Sequence, residues 1–158
     1  MELPKRKLPR LNGFDYSSEN YYFITICTKD KKCIFGEPGK LNALGRLAEK
    51  ELQSIPEHYD GVVVDKYVIM LNHIHAVITI GCDNEDRSRP FPTLSTVVGL
   101  YKSGTARKIH KMSPELEVWQ KSFYDTIIRN DKAYLEIWEY IDENPIKWQT
   151  DELYIAPQ

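Results

Sequence analysis

Two histidines separated by one residue, His73 and His75, are the side chains of this sequence best suited to chemistry. In a β-strand, side chains two residues apart point to the same face, so the two imidazoles would lie side by side. Each neutral imidazole offers a nitrogen lone pair, and such a pair can bind a metal ion. Buried histidines that hydrogen-bond to backbone or carboxylate groups give the same pattern. The spacing alone therefore leaves a ligand site and a structural pair both open.

The residues around the pair predict the strands that would position it. The segments VVVDKYVIM and AVITI flank the pair and are apolar and rich in β-branched residues. We predict strands over 61–70 and 73–80, joined at Leu71–Asn72 as an antiparallel pair. Burying imidazoles in such a strand costs free energy unless their nitrogens are satisfied, which favours a bound group.

A second chemical pair, Tyr140 and Asn144, lies at the end of the last predicted helix. Residues four apart share one helix face, so the phenol and the carboxamide could face the histidines together. Two imidazole nitrogens and an amide oxygen suit Mg²⁺ or Mn²⁺, which would polarise a phosphoryl group for attack by the tyrosine oxygen. Core packing of Tyr140 and a helix-end role for Asn144 stay open. Tyr124 lies in a strand-like stretch and Tyr134 on another face, so Tyr140 is favoured.

The remaining elements predict a ferredoxin-like α+β fold, with an antiparallel sheet flanked by helices. Their order is β-α-β-β-α-β followed by a further helix. We expect helices on one sheet face and an open face for a ligand. The other predicted elements are a strand over 21–28, a helix over 42–57 capped by Asn42, a helix over 93–110 capped by Thr93 or Ser95, an extended segment over 118–128, and a helix from its N-cap Asp131 to Glu143, stopped by Pro145.

Composition indicates an ordered globular protein. The 158 residues are 42% hydrophobic and 11% aromatic, which predicts a single domain over 1–158 with a basic arm at 1–15. No apolar run is long enough to span a membrane, and the first residues lack the apolar core of a signal peptide. Three cysteines without a CxxC pair indicate reduced thiols. We therefore expect a cytoplasmic protein without membrane contact, disulfides or structural zinc.

Charge is unevenly distributed although the net charge is only −2. Basic residues concentrate in the first twelve positions and in 101–112, whereas 131–152 is strongly acidic. This segregation permits a basic groove for nucleic acid, although solvated helix faces would look the same. The candidate DNA contacts are Arg6, Lys7, Arg10, Lys102, Arg107 and Lys108.

Several blocks together carry a more specific signal than any one motif. In order, they are RLNGFDYSSENYYFITICTKDKKCIFGE, YVIMLNHIHAVITI, LSTVVGLYKSGTAR and VWQKSFYDTIIRNDKAYLEIWEYIDENPIKW. From about Leu11 to Trp148, the chain resembles the single-tyrosine HUH transposases, and most closely their REP-associated tyrosine transposase branch. It departs from the family pattern at Leu71, where proline is usual, and at Thr126, where histidine is common.

The resemblance implies a role for each matching residue. His73 and His75 match the HUH motif that holds a divalent ion, Mg²⁺ or Mn²⁺, and Asn144 matches its third ligand. Tyr140 matches the nucleophile that becomes joined to the 5′ phosphate of cleaved single-stranded, hairpin-forming DNA. The implied activity is that of a single-stranded DNA nickase and ligase in transposition or in REP-like element processing. The basic helix would hold phosphates, and the N-terminal arm would reach a groove or hairpin.

Hypotheses from other functional classes compete with this one. A histidine-triad nucleotide hydrolase needs a third histidine where Val77 stands, and an amidohydrolase barrel needs roughly 250 residues. The serious alternative is a non-catalytic module that binds single-stranded nucleic acid with the same fold. We expect a monomer because no long extra helix follows Trp148, although a homodimer that shares its active sites is the other arrangement known in the family.

Overall fold

The computed structural model describes residues 20–81 and 91–155. Single 3-10 turns lie at Lys29–Lys31 and Trp148–Thr150. The other elements are β1 (Asn20–Cys27), β2 (Gly36–Glu37), β3 (Lys40–Leu41), α1 (Ala43–Gln53), α2 (Ile55–His58), β4 (Val62–Ile69), β5 (His73–Ile80), α3 (Leu94–His110), β6 (Tyr124–Ile128) and α4 (Asp131–Glu143).

Four long strands form one antiparallel sheet in the order β4-β5-β1-β6. The two central strands, β1 and β5, pair along their whole length, from Asn20 with Ile80 to Cys27 with His73. The predicted hairpin of β4 and β5 is confirmed, with a register shift between Val64 and Lys66. This order is that of a ferredoxin-like sheet, so the predicted fold class is confirmed.

Alternation along the strands divides the core between the two sheet faces. On one face, α1 and α3 pack over β1 and β5 around side chains such as Ile24, Ile74 and Val97. On the other face, α4 packs its Ile137 and Ile141 against the sheet. The expectation of an open second face is therefore wrong in part, since α4 covers some of it.

Local boundaries differ from the predicted ones where proline or capping chemistry intervenes. The helix predicted over 42–57 is two helices, since α1 ends at Gln53 and α2 begins at Ile55 with Pro56 in its first turn. Asn42 and Thr93 cap α1 and α3 as predicted. The N-cap of α4 is Asn130 rather than Asp131, because the Asn130 side chain accepts from the Ala133 amide at 2.8 Å.

The expectations about membrane spans and cysteines can be compared with the structure only for the described residues. Within 20–81 and 91–155, no helix is both long and apolar enough to cross a membrane. Cys27 and Cys33 are free thiols, and Cys82 lies outside the described residues.

A tight backbone contact at Gly45 supports the turn that precedes β5. The Leu71 carbonyl accepts hydrogen bonds from the amides of Ile34 and Phe35. A Cβ added to Gly45 would lie 2.2 Å from the Phe35 carbonyl oxygen, which real contacts do not allow. We expect Gly45→Ala to lower the free energy of unfolding by about 3 kcal/mol, the upper end for overpacking, in urea denaturation.

Gly99 provides the matched control, because it lies inside α3 with no heavy atom within 4 Å of an added Cβ. Gly99→Ala should raise the free energy of unfolding by up to about 1 kcal/mol through helix propensity. Equal effects of the two substitutions would contradict the assigned contact.

Candidate active site

The histidine pair lies at the start of β5, on the sheet face that α4 covers. Both side chains are fully buried, and their ring centroids are 4.6 Å apart. Each ring uses its Nδ1 atom for a hydrogen bond to a neighbouring polar side chain. Neither Nε2 atom has a hydrogen-bond partner of normal geometry, although both are buried. Two adjacent imidazoles therefore present unsatisfied nitrogens to the same region.

Asn72 fixes which nitrogen of His73 carries the proton. The Asn72 amide nitrogen donates to the carbonyls of Lys31 at 3.1 Å and Leu153 at 2.8 Å, which sets the orientation of the amide. Its oxygen then lies 2.7 Å from His73 Nδ1 and can only accept, so Nδ1 must donate. A neutral imidazole protonated at Nδ1 has its lone pair on Nε2, which leaves that atom ready to bind a cation.

Burial keeps both imidazoles neutral. It lowers the pKa of His73 to about 3, and a side-chain interaction with Asn144 acts in the opposite direction. The pKa of His75 is also well below its usual value, because of burial and the neighbouring His73. The Thr25 hydroxyl holds His75 Nδ1 at 2.9 Å. At neutral pH neither ring needs to lose a proton before binding a metal.

The predicted partners on α4 lie against the pair. The Tyr140 ring centroid is 5.4 Å from that of His75 and 5.9 Å from that of Phe23. Asn144 is 4% exposed, and its side-chain oxygen is buried without a hydrogen-bond partner. The structure thus brings all four predicted site residues together within one chain.

Polar contacts at the edge of the sheet hold α4 in this position. The Tyr134 hydroxyl donates to Asp65 of β4 at 2.8 Å, and Thr79 donates to the same carboxylate. Lys66 pairs with Asp142. The Tyr134 hydroxyl is therefore taken up by Asp65 rather than by the histidine pair.

Tyr140 opens onto a cleft of about 540 Å³ whose lining is mainly acidic. Burial raises the pKa of Tyr140 to about 12, Asn144 lowers it, and the charges of Asp151 and Glu152 raise it. The phenol is therefore protonated at neutral pH and needs activation to attack. The charged residues of the lining are Glu136, Glu139, Glu143, Lys147, Asp151 and Glu152.

Asp151 also lies at the site, although no sequence motif predicts it. Its side chain is 4% exposed, and its Oδ2 lies 3.8 Å from His73 Nε2. Ligand atoms of His73, His75 and Asp151 all lie within 4.8 Å of one another. The acidic composition of 131–152 is the only sequence signal that includes it. No helical or strand spacing links position 151 to position 73.

These donors fit a divalent metal. Ligand atoms of His73, His75 and Asp151 lie close together, Asn144 interacts with His73, and neither Nε2 atom nor the Asn144 oxygen has a hydrogen-bond partner of normal geometry. Mg²⁺ and Mn²⁺ accept such oxygen-containing ligand sets. His73, His75 and Asn144 are the residues that the sequence predicts would hold the ion.

The predicted DNA contacts lie elsewhere. Lys102, Arg107 and Lys108 are on α3, which covers the opposite face of the sheet from the histidines. The Lys102 ammonium donates to the carbonyls of Gln120 and Ser122, Lys108 pairs with Glu51, and Arg107 is exposed. Arg6, Lys7 and Arg10 lie outside the described residues.

A substitution at Asn72 tests whether this side chain holds the site in place. Asn72→Ala would leave the buried Leu153 carbonyl, the part-buried Lys31 carbonyl and the His73 Nδ1 proton without their partner. We expect a loss of about 2 to 4 kcal/mol in the free energy of unfolding, measured in urea. Asn42→Ala, which removes the cap of α1 and an exposed hydrogen bond to the Ile34 carbonyl, should cost about 1 kcal/mol. A loss at Asn72 no larger than at Asn42 would contradict the bridging role.

Comparisons with known proteins match this architecture. A solved REP-associated tyrosine transposase bound to a REP hairpin aligns with a TM-score of 0.62 at 17% identity, over 93% of this chain and 74% of that chain. A candidate transposase from Deinococcus radiodurans R1 aligns with a TM-score of 0.53 at 14% identity, over 86% and 97%. Both likenesses concern the fold.

Sequence comparisons extend the match. A Haemophilus influenzae protein described as uncharacterised is 38% identical over 168 aligned positions, which cover 95% of this chain and 93% of the relative. The family model described as "Transposase IS200 like" matches residues 16–144, a range that includes His73, His75, Tyr140 and Asn144. The chain therefore belongs to the IS200-like transposase family.

Proposed function

We propose that this transposase cleaves and rejoins hairpin-forming single-stranded DNA through a 5′-phosphotyrosine at Tyr140. His73, His75 and Asn144 would hold Mg²⁺ or Mn²⁺. The observation that carries the proposal is the convergence of three buried, unpartnered ligand atoms beside one tyrosine: Nε2 of each histidine and the Asn144 oxygen. A structural histidine pair would be expected to satisfy those nitrogens.

The reaction is a transesterification, which consumes no cofactor. The Tyr140 oxygen forms a bond to phosphorus while the bond from phosphorus to the 3′ oxygen breaks. The phenol proton passes to solvent, and the departing 3′ oxygen gains a proton. In the reverse direction, a 3′ hydroxyl attacks the phosphotyrosine and frees Tyr140, so the strand is rejoined without a further energy source. A bound divalent ion would supply Lewis-acid stabilisation of the charged phosphate.

The cleft itself argues for a bound cation during this reaction. Five of the six charged residues in its lining are acidic, so the protein alone repels a phosphate there. The raised pKa of Tyr140 likewise favours chemistry in which positive charge lies near the phenol. Neutral His73 and His75 would take none of the ion's charge.

For the DNA contacts, we propose that Arg6, Lys7 and Arg10 approach the hairpin and that Arg107, with Lys102 and Lys108, binds backbone phosphate. Because α3 and Tyr140 lie on opposite sheet faces, a strand that contacts both has to pass around the sheet. The solved relative with a REP hairpin supports a hairpin substrate. Since one chain brings Tyr140 beside its own His75, we propose a monomer that acts in cis.

A denaturing gel tests the proposal. The protein is incubated with a 5′- or 3′-labelled single-stranded hairpin panel and Mn²⁺, with chelator and fully duplex DNA as controls. We expect the protein to become joined to the DNA fragment on the 3′ side of the cut, so that the 3′-labelled substrate gives a labelled adduct. Chelator should prevent this adduct from forming. Retention of the hairpins on a native gel without any adduct across the panel would instead favour the non-catalytic binding module.

A further inference from the structure

Asp151 has a buried side chain, and a hydrogen bond within its own turn accounts for only one of its two carboxylate oxygens. It lies just after the 3-10 turn Trp148–Thr150, and the Trp148 ring is 6.0 Å from that of His73. Asp151 Oδ1 accepts the Leu153 amide at 2.8 Å, while Leu153 in turn provides a carbonyl to Asn72. The segment that carries Asp151 is thus tied directly to the residue that orients His73.

The second carboxylate oxygen faces the histidine pair without a compensating charge. Oδ2 lies 3.8 Å from His73 Nε2, which is too far for a hydrogen bond. That nitrogen bears a lone pair, because its ring donates through Nδ1. Within residues 20–81 and 91–155, no lysine or arginine forms an ion pair with Asp151. Two electron-rich atoms facing each other in a buried place need a cation between them.

We propose that Asp151 is a direct carboxylate ligand of the divalent cation, completing a set with His73, His75 and Asn144; this rests on the proposed function. The 3.8 Å separation is below the sum of two metal–ligand bonds of about 2.1 Å each. The family pattern ends at residue 144, so Asp151 lies beyond the residues that it matches.

Asp151 would be the negatively charged ligand in a set whose other members are neutral. Two neutral imidazoles and an amide contribute no negative charge, so they hold a dication weakly in a buried place. One carboxylate supplies a counter-charge and the hard oxygen that Mg²⁺ and Mn²⁺ prefer. The ion would then be retained before any phosphate arrives, and its binding would also hold the 148–155 segment against the sheet.

Asp151→Asn separates ligation from the structural role of the turn. The asparagine keeps an oxygen that can accept the Leu153 amide, but it removes the charge. Glu152→Gln is the matched control, because Glu152 is the adjacent acid, is exposed and lines the same cleft. Asp151→Glu, which keeps the charge, should retain more affinity than Asp151→Asn.

Mn²⁺ binding, followed by the electron paramagnetic resonance signal of the free ion, is the measurement. We expect Asp151→Asn to weaken Mn²⁺ binding by at least the roughly 10- to 100-fold that is typical for lost metal-site partners. Glu152→Gln should bind like the wild type. Circular dichroism of the metal-free proteins checks that each variant is folded. With Co²⁺, the visible absorption bands should change for Asp151→Asn and stay the same for Glu152→Gln.

The outcomes separate the two proposals. Wild-type Mn²⁺ affinity in folded Asp151→Asn, together with loss of binding in His75→Leu, would overturn the role of Asp151 and leave the proposed function standing. A slower adduct reaction at unchanged Mn²⁺ affinity would likewise overturn it, because that result indicates a proton acceptor. Equal weakening by Asp151→Asn and Glu152→Gln would indicate general cleft charge and also count against ligation. Wild-type protein that binds no Mn²⁺ would overturn both proposals.

Discussion

Tyr140→Phe should abolish the covalent protein–DNA adduct while leaving the fold and the binding of hairpin DNA intact. The substitution removes one oxygen from a half-buried ring that still packs against Phe23 and His75. Without that oxygen the chain has no atom at this position that can form a bond to phosphorus. Denaturing gels detect the adduct, and a gel shift with the same labelled hairpin measures binding.

Tyr134→Phe is the control on the same helix. Its hydroxyl donates to Asp65 and does not face the histidines, so the adduct should persist at close to the wild-type level. The lost hydrogen bond should cost about 1 kcal/mol of stability. An adduct that survives in Tyr140→Phe and disappears in Tyr134→Phe or Tyr124→Phe would show that another tyrosine is the nucleophile.

Mn²⁺ should stabilise the folded protein strongly, through its buried ligands. An ion that binds only the native state adds about 2.7 kcal/mol at a concentration one hundred times its Kd. For a chain of this size, that corresponds to a rise in Tm of roughly 5 to 10 °C. His75→Leu should eliminate the rise, because it removes an Nε2 atom that has no other partner. Thermal denaturation followed by circular dichroism, with and without Mn²⁺, measures the effect.

His58→Leu tests whether the shift is specific to the site. His58 ends α2, is exposed, and has its Nε2 atom 3.5 Å from the Ser54 hydroxyl. Its Mn²⁺-induced rise in Tm should equal that of the wild type. A shift that persists in His75→Leu, or one that His58→Leu also loses, would contradict the assigned ion site.

Local pattern was sufficient to predict the elements that carry the site. The β-branched residues around His73 predicted β5 and its pairing with β4, and the i, i+4 spacing of Tyr140 and Asn144 predicted their shared face. These features depend on short-range periodicity, which the sequence contains directly. The errors were equally local. Pro56 lies at the start of α2, so the chain forms two helices although the apolar pattern continues through both. Asn130 caps α4 one residue before Asp131, which was the predicted cap.

Long-range contacts explain what the sequence could not provide. Asp151 reaches His73 only because the chain turns after α4 and Leu153 hydrogen-bonds to Asn72. No period connects residues that far apart. The basic residues of α3 form a cluster in the sequence, yet the topology directs that helix to the opposite sheet face from Tyr140. Which face a helix covers depends on the crossover of the chain, which composition does not encode.

Mass spectrometry of the digested reaction product is the most direct test of Tyr140 as the nucleophile. After incubation with hairpin DNA and Mn²⁺, nuclease and trypsin treatment should yield the peptide 133–147, which contains both Tyr134 and Tyr140. We expect a 5′-linked nucleotide on this peptide, and fragmentation should assign it to Tyr140. A nucleotide on any other residue, or cleaved DNA with a free 5′ phosphate and an unmodified peptide, would contradict it.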